Sequence, residues 1–155
     1  MDHPLIGIVG AGTMGNGIAQ VFAQHGCGVH LVDVSDAALT RAWAGIEKSL
    51  AKFVEKQTLT DADRDATLAR LSTGTSLDAL ASAELIVEAI AEQRDAKRTL
   101  FAQLDALASP DALLASNTSS ISITELAAAT SRPARVFGMH FMNPVPLMRL
   151  VEQVR

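Results

Sequence analysis

The chain has 155 residues, 48% of them hydrophobic and 19% charged, with a formal net charge of −4; this composition is typical of one folded domain and argues against a disordered or fibrous protein. The net negative charge and the lack of a cluster of Lys and Arg argue against nucleic acid or an anionic membrane as a partner. No apolar run approaches the roughly 20 residues that span a bilayer, so no transmembrane helix is predicted. The single cysteine, Cys27, and a start without a secretory signal indicate a reducing cytoplasm.

The first third of the chain predicts a strand, a helix, a second strand and a long helix. Leu5–Val9 is an apolar run that leads into glycines, and Val29–Val34 is a second run after a helical stretch. Ser35 is expected to cap the long helix. Five apolar residues of that helix recur at spacings of three and four, which places them on one face: Leu39, Trp43, Ile46, Leu50 and Phe53.

The alternation of strands and helices continues to the end. Thr60 is expected to cap a short helix that runs through Leu71, followed by a weak strand over Ser72–Ser76. Later helices are predicted at Asp95–Leu107 and Ile123–Ala129, and later strands at Leu85–Glu88, Leu113–Ser116, Val136–Phe141 and Met148–Val154. This order predicts one domain over residues 1–155, a doubly wound α/β fold of the Rossmann type. Its sheet is mainly parallel, with a long helical excursion after the second strand.

A glycine pattern lies between the first strand and the first helix. Gly10, Gly12 and Gly15 form GxGxxG, in which the first glycine permits a tight turn, the second the approach of a pyrophosphate and the third close helix packing. Thr13 and Met14 begin the helix, whose free N–H groups attract phosphate. A glycine-rich turn without a ligand is the alternative, but the flanking strand and helix favour a dinucleotide site.

Asp33 lies 18 residues beyond Gly15, at the end of the second predicted strand. A carboxylate there accepts hydrogen bonds from the adenosine ribose and repels a 2′-phosphate, and no Arg follows immediately, so the predicted cofactor is NAD rather than NADP. The alternatives for Asp33 are a solvated loop acid or a helix cap.

Four separated motifs carry a family resemblance. GAGTMGNGIAQ, VEAIAE, ASNTSS and GMHFMNPVPLMRLVE together resemble the N-terminal domain of 3-hydroxyacyl-CoA dehydrogenases, including 3-hydroxybutyryl-CoA dehydrogenases, from about Leu5 to Glu152. The resemblance implies hydride transfer between the C3 of a (3S)-3-hydroxyacyl-CoA and NAD, in fatty-acid or short-chain acyl-CoA metabolism.

His140 is the candidate base. It lies at the end of an apolar strand, where a parallel sheet opens on its ligand crevice, and an imidazole suits removal of a hydroxyl proton near neutral pH. The resemblance assigns it the role of general base, pairs it with Glu152 and gives Ser119 the contact with the substrate hydroxyl. Taken alone, His140 is interpreted as a structural residue and Glu152 as a surface acid.

The resemblance also implies residues beside the cofactor: Ala89, Glu92, Lys97, Asn117 and Asn143. Glu92 and Lys97 each have the alternative of an ordinary helix-surface charge, and Asn143 that of a turn residue before a proline. Helix capping before Ile121 is the alternative for the polar residues of ASNTSS, and it is the preferred interpretation of Ser120.

Lys52 and Lys56 lie on the long helix that, by resemblance, borders the CoA phosphates of the acyl-CoA substrate. Family members often continue with Gly and Lys, whereas Gln57 and Thr58 occupy those places here. A solvated helix face explains both lysines equally well.

Family members continue into a helical C-terminal domain that supplies a substrate-site Asn and most of the homodimer contact, and this domain is absent from the chain. An isolated noncatalytic NAD-binding module is therefore the alternative function, and a dehydrogenase of free β-hydroxy acids is a third. Cys27 is expected to be a buried small side chain, and no metal site is predicted.

Overall fold

The computed structural model describes residues 3–155. In this part of the chain seven strands form one sheet: β1 Leu5–Val9, β2 Gly28–Val32, β3 Leu71–Gly74, β4 Leu85–Glu88, β5 Leu113–Ser116, β6 Val136–Phe141 and β7 Val151–Val154. The helices are α1 Thr13–Gln24, α2 Asp36–Glu55, α3 Asp61–Ala69, α4 Arg94–Leu107 and α5 Ile123–Ala128, with short 3₁₀ turns at Leu77–Leu80 and Pro133–Arg135.

The strands lie in the order β3-β2-β1-β4-β5-β6-β7. The first six pair in parallel and β7 pairs antiparallel with β6. The predicted doubly wound, mainly parallel α/β fold is confirmed, as is the helical excursion, which consists of α2 and α3. The strand order reverses direction at β1, and in such sheets ligands bind at the carboxyl ends of the strands around this point.

Several predicted boundaries were wrong at the ends of elements: the strand predicted at Ser72–Ser76 is Leu71–Gly74, α4 begins at Arg94 rather than Asp95, and α5 ends at Ala128 rather than Ala129. The helix after Thr60 ends at Ala69, because Leu71 pairs with Val29 and already belongs to β3. The second strand ends at Val32, after which the chain turns towards α2. The last strand begins at Val151, because the backbone N–H groups of residues 147 and 148 bond to the carbonyl of Pro144 in a turn.

The core lies on both faces of the sheet. On one face Ile18 of α1 and Ile46 of α2 pack with Leu31 of β2. On the other face Phe101 of α4 packs with Ile86 of β4, Leu114 of β5 and other apolar side chains. Burial of each such side chain contributes about 1.5–3 kcal/mol. Two filled layers hold the strands in place, so the loops at their carboxyl ends start from a fixed frame.

The longest helix, α2, is amphipathic. Ser35 caps it as predicted, because its hydroxyl accepts a hydrogen bond from the N–H of Ala38 at 3.1 Å. Leu39, Ile46 and Leu50 are buried on one face, while the opposite face is charged. Within residues 3–155, no helix has the length and apolar character needed to cross a membrane.

Candidate active site and cofactor cleft

The three glycines of the turn after β1 have different roles. Gly10 has φ +106°, and a Cβ there would lie 2.4 Å from the carbonyl oxygen of Ala89. A Cβ on Gly15 would lie 1.7 Å from the carbonyl oxygen of Gly10. A Cβ on Gly12 would meet nothing within 4 Å. Gly10 and Gly15 are therefore needed for the turn itself, whereas Gly12 leaves open space above the backbone.

That open space belongs to a cavity of about 930 Å³, here called the glycine-turn cavity, which is lined by residues that include Gly10, Gly12, Thr13, Met14 and Asp33. Gly12 is the N-cap of α1 and has no side chain with which to cap it. The first N–H groups of a helix lack partners within the helix and form the positive end of its dipole. A pyrophosphate fits this arrangement, since the turn combines an uncapped helix start with room for an anion.

Asp33 is the first residue after β2, and its carboxylate joins two loops. Oδ2 accepts from the N–H of Ala11 at 2.8 Å and Oδ1 from the N–H of Ser35 at 2.9 Å. Asp33 is half-buried, so it is neither the helix cap nor a fully solvated acid. Each carboxylate oxygen has a second lone pair, which leaves acceptors for ribose hydroxyls in the cavity. The sequence interpretation missed Arg41 of α2, which lines the same cavity.

A second cavity of about 350 Å³, the histidine cavity, adjoins the first and shares Met14, Ala89 and Ile90 with it. It is lined by most of the remaining predicted residues, namely Glu92, Lys97, Asn117, Ser119, His140 and Asn143. These residues come from the ends of β4, β5 and β6 and from the first turn of α4. Parallel pairing of neighbouring strands brings them together, because it places their carboxyl ends at one edge of the sheet.

His140 and Glu152 lie directly opposite each other in the β6–β7 ladder. The distance from Nδ1 of His140 to Oε2 of Glu152 is 3.4 Å, which is longer than the usual hydrogen bond, and both side chains are partly exposed. The antiparallel register points the two side chains to the same face of the sheet. If Nδ1 carries the proton and faces the carboxylate, Nε2 is the nitrogen free to accept another.

A buried ion pair lies beside this cavity. Nζ of Lys97 is 2.8 Å from Oε2 of Glu88 and 2.7 Å from Oε1 of Glu92. The side chain of Lys97 is 3% exposed and that of Glu88 is 0% exposed, so the surface-charge interpretation of Lys97 was wrong. Glu88 lies in the VEAIAE motif but was not assigned a role from the sequence, because its contacts with Lys97 and Ser116 are formed only in the tertiary structure. We call Glu88, Lys97 and Glu92 the acidic triad.

Thr118 connects the acidic triad to the loop after β5. Its hydroxyl lies 2.9 Å from Oε1 of Glu92 and accepts from the N–H of Ile121 at 3.0 Å. The hydroxyl of Ser120 also donates to Glu92, at 3.2 Å, and Ser122 caps α5, so the preferred interpretation of Ser120 as a cap was wrong. Desolvation pushes the pKa of Glu92 upwards, but hydrogen bonds from Lys97, Thr118 and Ser120 outweigh it and hold this pKa below its ordinary value.

Two asparagines and a serine complete the rim. Oδ1 of Asn117 accepts from the N–H of Phe141 at 2.9 Å, which ties the loop after β5 to the end of β6. Asn143 is exposed and precedes a cis proline, Pro144. Ser119 is exposed on the same cavity as His140. The hydroxyl and the imidazole therefore face one common space.

Comparison with known proteins decides the family. The family described as "3-hydroxyacyl-CoA dehydrogenase, NAD binding domain" matches residues 5–155. This chain belongs to that family. The resemblance inferred from the four motifs and the expectation of NAD as cofactor are both confirmed.

Three relatives of this NAD binding domain are named as dehydrogenases of 3-hydroxyacyl-CoA compounds. A probable 3-hydroxybutyryl-CoA dehydrogenase of Deinococcus radiodurans is 52% identical over 149 residues, which cover 96% of this chain and 53% of that protein. The 3-hydroxyadipyl-CoA dehydrogenase of Escherichia coli K12 is 49% identical over 149 residues, with 96% and 31% covered. The crystal structure of (S)-3-hydroxybutyryl-CoA dehydrogenase from Ralstonia eutropha has a TM-score of 0.94 at 49% identity, with 98% and 54% covered.

The chain thus spans about half the length, or less, of these relatives. The alignments with these relatives cover nearly all residues of this chain. The comparison therefore concerns the NAD binding domain, and what the longer relatives do as whole proteins is a separate question.

The NAD binding domain also has a third cavity of about 500 Å³, here called the lysine cavity. It is lined by Lys52 and Lys56, both predicted, and by Lys48, which sequence reasoning missed. A spacing of four residues places Lys48 and Lys52 on one side of α2. Lys56, predicted to lie on this helix, is the residue that caps its C-terminal end. The opposite wall is formed by the loop after β6, with Pro144, Pro146 and Leu147. The predicted lysines are therefore separate from the histidine cavity.

Cys27 is partly exposed, so the expectation of a buried side chain was wrong. Desolvation is the main cause that raises the pKa of its thiol, which disfavours the reactive thiolate at neutral pH. Within residues 3–155, no group of three or more His, Cys, Asp and Glu side chains is arranged to hold a metal ion.

Proposed function

We propose that this chain is the NAD-binding part of an oxidoreductase that interconverts (3S)-3-hydroxyacyl-CoA and 3-ketoacyl-CoA. One observation carries the proposal: His140, which is paired with Glu152, and Ser119 line one cavity, and this cavity adjoins the glycine turn. A base, a polar contact for an alcohol oxygen and a dinucleotide site are the parts that alcohol oxidation requires.

His140 acts as the general base in the proposed reaction. Its Nε2 takes the proton of the C3 hydroxyl group, while Nδ1 holds its own proton towards Glu152. The carboxylate stabilises the imidazolium that forms, as an acid partner does for catalytic histidines elsewhere. NAD bound along the glycine turn would supply the acceptor for the hydride from C3. In the reverse direction the imidazolium returns its proton to the oxygen of the ketone.

Ser119 and the two asparagines position the reacting groups. The Ser119 hydroxyl is exposed to the cavity and is available to donate to the substrate oxygen. Asn117 is held by its bond to Phe141, which leaves its amide N–H₂ as a donor on the cofactor side. Asn143, on the loop after β6, lines the same side. Rigid support of these groups matters because a misplacement of about 1 Å costs roughly 10²-fold in rate.

The lysine cavity is the proposed site of the CoA phosphates. Lys48, Lys52 and Lys56 present three positive charges to one space, and Phe53 adds an apolar wall. The loop after β6 borders the lysine cavity through Pro144 and the histidine cavity through Asn143. If the lysines bind the phosphates of CoA, the attached acyl group would extend past this loop to His140.

We further propose that the complete protein is a cytoplasmic homodimer of fatty-acid or short-chain acyl-CoA metabolism, assembled through a C-terminal helical domain. The names of the relatives support the substrate class, since they include both 3-hydroxybutyryl-CoA and 3-hydroxyadipyl-CoA dehydrogenases. The chain spans about half of the first of these and about a third of the second. By itself it therefore corresponds to a module that binds NAD with little or no turnover.

The test is a parallel measurement on this chain and on the product of its complete reading frame. NADH binding is followed by fluorescence titration, and turnover by consumption of NADH with acetoacetyl-CoA. We expect both proteins to bind NADH and the longer one to reduce acetoacetyl-CoA. A complete protein that binds NADH normally but does not consume it with acetoacetyl-CoA or acetoacetate refutes the proposed function. Activity with acetoacetate alone favours a dehydrogenase of free β-hydroxy acids.

A further inference from the structure

The acidic triad contains two carboxylates for one ammonium group. Lys97 contacts both Glu88 and Glu92, at 2.8 and 2.7 Å. Glu92 is the solvent-facing member, with a side chain that is 43% exposed, whereas Glu88 is fully enclosed. One positive charge cannot neutralise two negative ones, so the group carries a surplus of one negative charge when all three members are ionised.

The hydrogen bonds of Glu88 are those of an ionised carboxylate. It accepts from the N–H of Ile90 at 2.8 Å, from Nζ of Lys97 at 2.8 Å and from the hydroxyl of Ser116 at 2.5 Å. The Ser116 oxygen itself accepts from the N–H of Thr118, which leaves its proton available for Glu88. Glu88 thus accepts three hydrogen bonds inside the fold, one of them from the ammonium group of Lys97.

The acidic triad lies at the end of the cleft where the nicotinamide belongs. Asp33 marks the adenosine end of the glycine-turn cavity, and the uncapped start of α1 marks the pyrophosphate. Beyond the pyrophosphate position, the cleft continues into the histidine cavity, which Glu92 and Lys97 line. The nicotinamide ring carries a positive charge in NAD⁺ and none in NADH, so charges at this end distinguish the two forms.

We infer that the acidic triad favours NAD⁺ over NADH, and that Glu88 supplies the surplus negative charge. Glu88 does not line the cavity; it acts through space and through Lys97, and is therefore a positioning residue. Burial keeps its field from being screened by salt, since interactions of enclosed charges are weakened much less than those at the surface. The inference rests on NAD binding by this chain and not on the proposed reaction, so the two fail independently.

The test compares affinities of the chain for the two cofactor forms at one pH. Glu88→Gln removes the charge and keeps the shape. The amide oxygen of Gln can take the place of Oε2 of Glu88 and accept from Ile90 and Lys97, and the new N–H₂ can donate to Ser116. The quantity measured is the ratio of the Kd for NAD⁺ to the Kd for NADH. We expect this ratio to rise roughly tenfold, as a charge acting across about 12 Å at an effective dielectric constant near 20 implies.

The controls separate electrostatics from structural damage. Glu92→Gln removes a charge from the partly exposed member and should raise the ratio in the same direction, even if Glu88→Gln fails to fold. Asp95→Asn makes the same charge change in the first turn of α4, outside both cavities, and should leave the ratio unchanged. A ratio that stays constant in Glu92→Gln and in folded Glu88→Gln, while both Kd values change together, overturns the inference.

Discussion

The carboxylate of Asp33 accepts a hydrogen bond from the backbone N–H of Ala11, with 2.8 Å between Oδ2 and N. The residue that faces the proposed ribose site therefore also holds the glycine turn. Its second oxygen accepts from the N–H of Ser35, at the start of α2. The proposed role of Asp33 in cofactor selection would thus be coupled, through one side chain, to the position of the glycine turn.

Asp33→Asn is expected to raise the Kd for NADH about tenfold. The substitution replaces one carboxylate oxygen, which accepts a hydrogen bond from a backbone N–H and could accept another from the ribose, by an N–H₂ group that only donates. The same change removes the negative charge that repels a 2′-phosphate, so the preference for NADH over NADPH should narrow. Fluorescence titration with both cofactors measures this. Any increase in NADPH affinity in Asp33→Asn should be lost when Arg41→Ala is added, since Arg41 lines the same cavity and its positive charge can attract the 2′-phosphate. An unchanged preference in Asp33→Asn would contradict the assignment.

The glycines allow a contrast between folding and binding. Gly12→Ala should leave the thermal midpoint within about 2 °C, because the added methyl group meets no protein atom within 4 Å. It should weaken NADH binding at least about tenfold, since the methyl group occupies the space proposed for the pyrophosphate. Gly15→Ala should instead prevent stable folding, with a Cβ 1.7 Å from a carbonyl oxygen. Normal NADH affinity in Gly12→Ala would exclude a pyrophosphate over this glycine.

His140→Gln in the complete protein is expected to lower kcat for acetoacetyl-CoA by about 10²–10⁴-fold, because no imidazole remains to transfer the proton. NADH affinity should stay within about twofold, since the glutamine is neutral and similar in size. Glu152→Gln should give a smaller loss through the orientation of His140. Retention of full kcat in His140→Gln would show that another group transfers the proton.

Asp105 offers a test of stability against pH. Desolvation raises the pKa of Asp105, but hydrogen bonds from Ser131 and Arg132 lower it by more, so its pKa in the folded state lies below the unfolded value. Such a group stabilises the fold above its unfolded pKa, and this contribution is lost as the pH falls through the folded pKa. Asp105→Asn should therefore cost roughly 1–3 kcal/mol at neutral pH and progressively less in acid, measured by urea unfolding. Asp111→Asn, whose native carboxylate is 90% exposed, is the matched control, with an expected change within about 0.5 kcal/mol.

Replacement of Lys48, Lys52 and Lys56 by Ala tests the lysine cavity in the complete protein. We expect the KM for acetoacetyl-CoA to rise roughly tenfold at low ionic strength and by less at high salt, because exposed charges are screened. The KM for acetoacetyl-pantetheine, which lacks the nucleotide phosphates, should not change. Equal losses with both substrates would show that the lysines act on folding or on the loop after β6 rather than on phosphates.

Much of the fold followed from local patterns. The bounds of β1, β4, β5 and β6 were predicted to the residue, because each is a short run rich in apolar residues. The glycine turn, the cap at Ser35 and the family motifs are also local. Elements at the edges of the sheet were less predictable, since the ends of a strand depend on which residues of the neighbouring strand it pairs with.

The sequence by itself determined the parallel α/β fold, the NAD turn and the candidates for the histidine cavity, because short-range spacing encodes strands, helices and motifs. Only the tertiary structure decided which charges meet. Glu88 lies beside Ser116 because β4 and β5 pair in parallel, and it meets Lys97 because α4 folds back over the strand end. Arg41 and Lys48 face cavities for the same kind of reason: their partners come from distant parts of the chain, and no local pattern records such distances.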